Sequence, residues 1–236
     1  MTYDSSSRAT VDGSPKRLVP IAAVATEIAA EGLSGIVTDV LNFALTLEYL
    51  ESEFYTRGVG TSGLIPADML PAFDQIRKHE VAHVALLRSV LGSKAVSMPT
   101  FDFTAGGMFG DVFTNAQTFA ALAQAFEDTG VRAYKGQAAN LMGNKSVLTT
   151  ALQVHSVEAR HACQVRRMRE QKGWISGNDR GNLPAATQGI YNGENNRFQF
   201  ILAQPGSGIT WTEAFDETLS KGQVLDIVAP FIKGGR

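Results

Sequence analysis

Apolar residues recur at three- and four-residue intervals along four long stretches, the period of helices that bury one face. The stretches run from about 35 to 56, 66 to 91, 114 to 141 and 146 to 173, and Gly58, Gly92, Gly143-Asn144 and Gly173 mark their ends. Only a few residues separate the third from the fourth, so these two should be antiparallel neighbours. The link from 92 to 113 holds Gly106, Gly107 and Gly110 and is long enough to travel the length of a bundle. The expected fold class is all-α: a four-helix bundle over residues 35–172 with one long crossover.

The flanks carry a different pattern. Residues 1–34 are expected to be a flexible N-terminal segment, because the first fifteen or so are mostly Ser, Thr, Asp and Gly with little to bury. After Gly173 the chain turns to Gly, Asn, Pro and Gln, with a short β-favouring run at Phe198 to Leu202. Ser220-x-x-Gln223 is spaced to cap a last short helix through Ala229. Residues 173–236 are therefore expected to form an irregular C-terminal extension packed on the bundle.

The helical stripes are not purely apolar. In the second helix Phe73, Ile76, Val84, Leu87 and Leu91 share a face with Glu80 and His83; in the fourth, Val147, Ala151, Val154, Val165 and Met168 share one with Glu158 and His161. Glu48 interrupts an apolar run in the first helix and Glu127 follows Phe126 in the third, each with a tyrosine seven residues on, Tyr55 and Tyr134. Glu48 precedes Glu80 by 32 residues and Glu127 precedes Glu158 by 31, so the chain reads as one helical hairpin written twice. A buried carboxylate costs several kcal/mol unless a charge offsets it, and apolar neighbours cannot. Four glutamates and two histidines, with one Glu from each of two helices and a Glu-x-x-His from each of the others, form the ligand set of a dinuclear metal site in a bundle.

Composition narrows the chemistry. With 21 Lys and Arg against 23 Asp and Glu the net charge is -2, so no positive field holds nucleic acid or an anionic membrane. No run of about 18 apolar residues suggests a membrane span. A single cysteine, Cys163, excludes an internal disulfide or a multi-thiolate site and leaves carboxylates and imidazoles, which suit iron, manganese or zinc. The expected location is the cytoplasm. Export to the periplasm is the alternative, on the strength of Lys16-Arg17 followed by the apolar stretch Leu18 to Ala25.

The repeat, together with Leu-Asn-Phe-Ala-Leu-Thr-Leu-Glu-Tyr-Leu-Glu at 41–51 and Ala-Phe-Asp-Glu at 214–217, resembles the ferritin-like superfamily of di-iron and di-manganese carboxylate proteins. Within it the chain is most similar to the bacterial ferritin-like domain branch related to plant desiccation-related proteins. The resemblance implies that Glu80 and Glu158 bridge two metals. It also implies that Glu48 with His83 completes one, that Glu127 with His161 completes the other, and that Tyr55 and Tyr134 orient carboxylates. It further implies two iron ions, or two manganese ions, that react with dioxygen or hydrogen peroxide, in oxidative or desiccation stress protection. Ferritin-like chains form monomers, dimers and shells, so a homo-oligomer is compatible with it.

Other readings compete. His79-Glu80-Val81-Ala82-His83 matches the His-Glu-x-x-His motif of zinc proteases but leaves Glu48, Glu127, Glu158 and His161 without a role. Glu51 is the rival of Glu48 on the first helix, and the Glu-to-Tyr spacing favours Glu48. His155 is equally compatible with a place beside the site and with exposure, and Cys163 reads as a small packed residue. Arg166, Arg167 and Arg169 suit the last turns of a helix, where positive charge offsets the dipole. A manganese catalase-like peroxide dismutase and a non-catalytic protective scaffold stabilised by its metal are the alternatives to di-iron chemistry.

Overall fold

The computed structural model describes residues 23–26, 28, 32–196 and 211–234. Its main elements are α1 (Gly35–Gly60), α2 (Leu70–Leu91), α3 (Ala116–Gln137), α4 (Lys145–Met168), the single turn α5 (Gln188–Tyr191) and α6 (Lys221–Val228). Among the described residues there is no strand, only the isolated bridges Phe101–Ile232 and Ser176–Asp179. The β-favouring run at 198–202, the Ser/Gly-rich start of the chain and most of the basic-apolar stretch near 16–25 lie outside the described residues.

Local chemistry sets the helix starts. Ser34 accepts from Val37 N, Asn115 from Gln117 and Thr118 N, and Asn144 from Val147 N, each filling donors that the first turn leaves open. Ser220 and Gln223 form the reciprocal capping box expected for α6. Two ends differ from the sequence reading. Helix α1 runs on through Gly58, whose role is close approach: a Cβ there would sit 2.1 Å from the Phe119 ring of α3. Helix α4 stops at Met168, before Gly173; Glu170 then takes φ 58° and the chain folds back, so that a Cβ on Gly173 would meet Cys163 Sγ at 2.7 Å.

Helices α1 and α2 form one hairpin, α3 and α4 the other. The crossover starts beside the first turns of α1, where Asn42 bonds Lys94 O and Val96 N, and finishes beside its last, where the Arg57 guanidinium lies 4.4 Å over the Phe113 ring. Phe103 of the crossover packs on Phe54 at 5.3 Å. The end of the chain holds the crossover down, through Asp102 N to Phe231 O and Lys233 N to Thr100 O, both 2.8 Å.

Helix α3 is buried on every side from Phe119 to Tyr134. One face meets the other helices; the C-terminal extension covers the rest. The extension's backbone reaches α3 directly, with Leu219 N donating to Arg132 O, and a Cβ on Gly136 would lie 2.0 Å from Leu219 O. At the other end of the chain, Ala25 and Ile28 of the N-terminal segment are buried in the core.

Candidate metal centre

The four helices bring six side chains together at mid-bundle. Glu48, Glu80, Glu127 and Glu158 are each 0% exposed, and His83 and His161 are buried beside them. They fall into two quartets, Glu48, Glu80, His83, Glu158 and Glu80, Glu127, Glu158, His161, in each of which one ligand atom per residue lies within 4.8 Å of the others. Glu80 and Glu158 belong to both.

The orientations are specific. Glu80 divides its oxygens, Oε1 lying 2.9 Å from His161 Nδ1 and Oε2 3.3 Å from His83 Nδ1. Glu48 Oε2 and Glu158 Oε1 are both 3.2 Å from His83 Nδ1, and Glu127 Oε2 is 3.4 Å from His161 Nδ1. The outer oxygens of the two unshared glutamates are taken by phenols: Tyr55 donates to Glu127 Oε1 at 2.5 Å, and Tyr134 donates to Glu48 Oε1. Each of these carboxylates is thereby left with one inward oxygen.

Residues 37–171 match the family model of the ferritin-like domain. The chain belongs to the ferritin-like domain family. No curated protein matches it.

Whether this ferritin-like domain is built for cations is tested by its unpaired atoms. Glu80 Oε1, Glu127 Oε2, both oxygens of Glu158 and His161 Nδ1 are buried without a hydrogen bond, although Glu80 Oε1 and His161 Nδ1 are only 2.9 Å apart. Buried polar atoms are otherwise nearly always paired. Inward-facing carboxylate oxygens and imidazole nitrogens at these separations are donors of the kind that hold metal ions, and the residues present fit such a site.

Without cations, protons carry the balance of charge. Burial and the Glu48 carboxylate push Glu80 up to about 7, and burial with the Glu80 and Glu48 charges drives Glu158 well above its usual range. Burial disfavours a charged His161, but Glu127 and Glu80 outweigh it and push the ring up to about 11; Glu48 and Glu158 likewise hold His83 far above its usual range. Burial would raise Glu48 too, yet the His83 charge and hydrogen bond hold it low. Burial and the facing carboxylates raise Tyr55 and Tyr134 well above normal, so both remain protonated donors.

Other singled-out residues fall around the centre of the ferritin-like domain. His79 stacks on His161 at 5.1 Å, with its Nδ1 2.9 Å from His161 Nε2 and its Nε2 2.8 Å from Gln75, so it supports the far side of that ring. Glu51 is buried and faces the glutamates but stands outside both quartets. His155 is half-buried near Lys135 and Asp216, away from the cluster. Arg166 does more than offset the dipole of α4: it is buried and holds Asp128 Oδ1 and Oδ2 at 3.0 and 2.5 Å, while Tyr191 donates to the same carboxylate. Arg132 went unremarked in the sequence, yet it is 1% exposed. It pairs with Glu194 at 2.8 Å and donates to the backbone oxygens of Ile190, Asn192 and Glu217. The available signal was Asp128 and Arg132 at i and i+4, opposite charges one turn apart in α3.

Proposed function

We propose that the six side chains hold two iron ions and that the protein reacts with dioxygen or peroxide. The single observation that supports this best is the pair of overlapping quartets sharing Glu80 and Glu158. Four carboxylates balance two divalent cations in charge, which offsets the burial penalty of every glutamate at once. The iron pair, when bound, would supply electrons to an oxygen species at coordination positions the protein leaves open.

The chain's own residues do the positioning. Glu80 directs one oxygen to each half of the centre. Tyr55 and Tyr134 hold the outer oxygens of Glu127 and Glu48 and keep the inner ones aimed inward. His79 fixes the ring of His161 from behind. Phe54, Phe73, Phe119 and Phe126 wall the Tyr55 side and keep bulk water away. The physiological output assigned to this chemistry is protection against oxidative or desiccation stress, and the family resemblance is its support.

Elemental analysis of protein purified without added metal tests occupancy and identity together. Anaerobic Fe(II) addition followed by air then tests reactivity: two irons per chain should be taken up, and a charge-transfer absorption should appear only after oxygen. Peroxide consumption with manganese and not with iron would replace the iron assignment by a manganese one. A metal that raises the melting temperature without any turnover would leave a structural role.

A further inference from the structure

The internal repeat is broken on one side of the centre. Aligning Glu48 with Glu127 and Tyr55 with Tyr134 sets Phe54 against Ala133, Phe119 against Val40 and Phe126 against Leu47; aligning Glu80 with Glu158 sets Phe73 against Ala151. These four phenylalanines are the ones that wall the Tyr55 side. The rings of Phe54, Phe73 and Phe119 lie 5.4, 6.1 and 6.3 Å from the Tyr55 ring, and Phe126 lies 5.1 Å from Phe54. On the Tyr134 side the place of each is taken by an alanine, a valine or a leucine. The space is left open there: Val40, Leu47, Ala133 and Ala151 all line a cavity of about 20 Å³ against Tyr134. A second cavity of about 20 Å³ lies beside it, bounded by Leu87 of α2, Val154 of α4 and Ile28 of the N-terminal segment. Leu41, Tyr134 and Ala151 line both.

Close-packed interiors keep few such voids, and each of these has room for one small molecule. What faces the void sets the kind of guest. Of the polar residues at the edge of the first cavity, Tyr134 turns its hydroxyl to Glu48, and Gln137 Oε1 accepts from Asn140. An aliphatic cavity of this kind stays dry and takes up apolar guests such as xenon. Hydrogen peroxide would enter it with its hydroxyl groups unpaired, a cost that dioxygen does not meet. We propose that the two cavities form a binding site for dioxygen, on the Glu48 and His83 side of the centre, and that dioxygen rather than peroxide is the oxidant the protein takes. Tyr134 lines both cavities and bonds Glu48, so a guest there is one side chain away from that carboxylate. The gas site stands on the cavities alone; its part in oxidation rests on the dinuclear reading.

Dioxygen is paramagnetic, so its occupancy can be read in the metal-free full chain. Under oxygen pressure the methyl protons of Val40, Leu41 and Leu47 should relax faster than those of Leu122 and Val224, which are buried elsewhere in the core, and added xenon should suppress the excess by competition. Ala151→Phe supplies the ring that Phe73 supplies in the other half and should lose the excess. Ala151→Leu fills less of the space and serves if the ring is not accommodated. Both variants should still take up two irons per chain, while oxidation by dissolved oxygen slows and oxidation by added peroxide does not. No excess relaxation in the wild type, or an excess that persists in a folded, filled variant, overturns the gas site. Lost gas uptake without slower oxidation by oxygen overturns delivery to the centre, and equal slowing with peroxide overturns the choice of dioxygen. A wild type that shows the excess but binds no metal keeps the gas site and overturns the dinuclear reading instead.

Discussion

Tyr55 on α1 donates to Glu127 on α3 at 2.5 Å, and Tyr134 on α3 returns the bond to Glu48 on α1. Each half of the repeat therefore steadies the carboxylate of the other half. The two hairpins are coupled at the centre, and neither can present its glutamate correctly without its partner. Tyr55→Phe should loosen the Glu127 and His161 side, and Tyr134→Phe the Glu48 and His83 side. Each should lower metal affinity by about 10- to 100-fold, as loss of an orienting partner does. Competition titration against a chelator of known affinity measures it, and unchanged affinity in both variants would remove the tyrosines from the site's design.

Replacing Glu80 by Gln separates the cost of the cluster from its use. Without metal, one fewer buried negative charge leaves the melting temperature unchanged or higher, because unpaired buried charge destabilises. With metal, the variant loses the stabilisation that ligand binding confers, about 2.7 kcal/mol at a hundredfold excess over Kd. Differential scanning of both forms checks the sign. A large loss of metal-free stability would mean that the carboxylate is structural.

Acidity should act in one direction on the metal-free protein. Glu80 sits at about 7 against an ordinary 4.5, so it binds its proton more tightly folded than unfolded. That stabilisation is fully present below about 4.5 and is lost as pH rises through about 7. His161, raised to about 11 from 6.5, gives stability that is present below 6.5 and lost as pH rises through that higher value. Glu48, held low, works in the opposite sense only at acid pH. Chemical denaturation of the metal-free chain should show stability falling from pH 5 to 8, while metal affinity rises over the same interval with protons released. Calorimetry in buffers of different ionisation enthalpy counts those protons.

The buried pair of Arg132 and Glu194 predicts a double-mutant cycle. Arg132→Met strands a buried carboxylate and frees three backbone oxygens, and breaking such a pair costs about 3–5 kcal/mol. Adding Glu194→Gln should recover part of that loss. Urea unfolding of the two single variants and the double variant gives the coupling, and additive effects would show that the two side chains do not act as a pair.

Much of the bundle was legible because it rests on short-range periodicity. The stripes of α2 and α4 mark Glu80, His83, Glu158 and His161 as inward, and the duplicated spacing ties Glu48 and Glu127 to them. Two things were hidden. Glu51 and Glu48 lie three residues apart on one helix, so spacing could rank them but could not show that Gly130, by lacking a side chain, leaves room for Glu51 to be buried as well, beside Glu158. Helix α3 reads as an ordinary amphipathic helix, because the cover over Asp128 and Arg132 comes from residues 58 to 85 positions further along. Long-range cover leaves no period in the sequence. The end of α4 was misplaced for a related reason: Glu170, not a glycine, takes the left-handed turn that releases the chain.

The roof over α3 also bears on how copies of this chain could assemble. A subunit contact on that helix would have to displace the extension, breaking the Arg132 cluster and the backbone seat of Leu219 at Gly136. Any quaternary arrangement that keeps the fold intact must therefore leave that covered face of α3 alone and be built on surface the extension does not occupy.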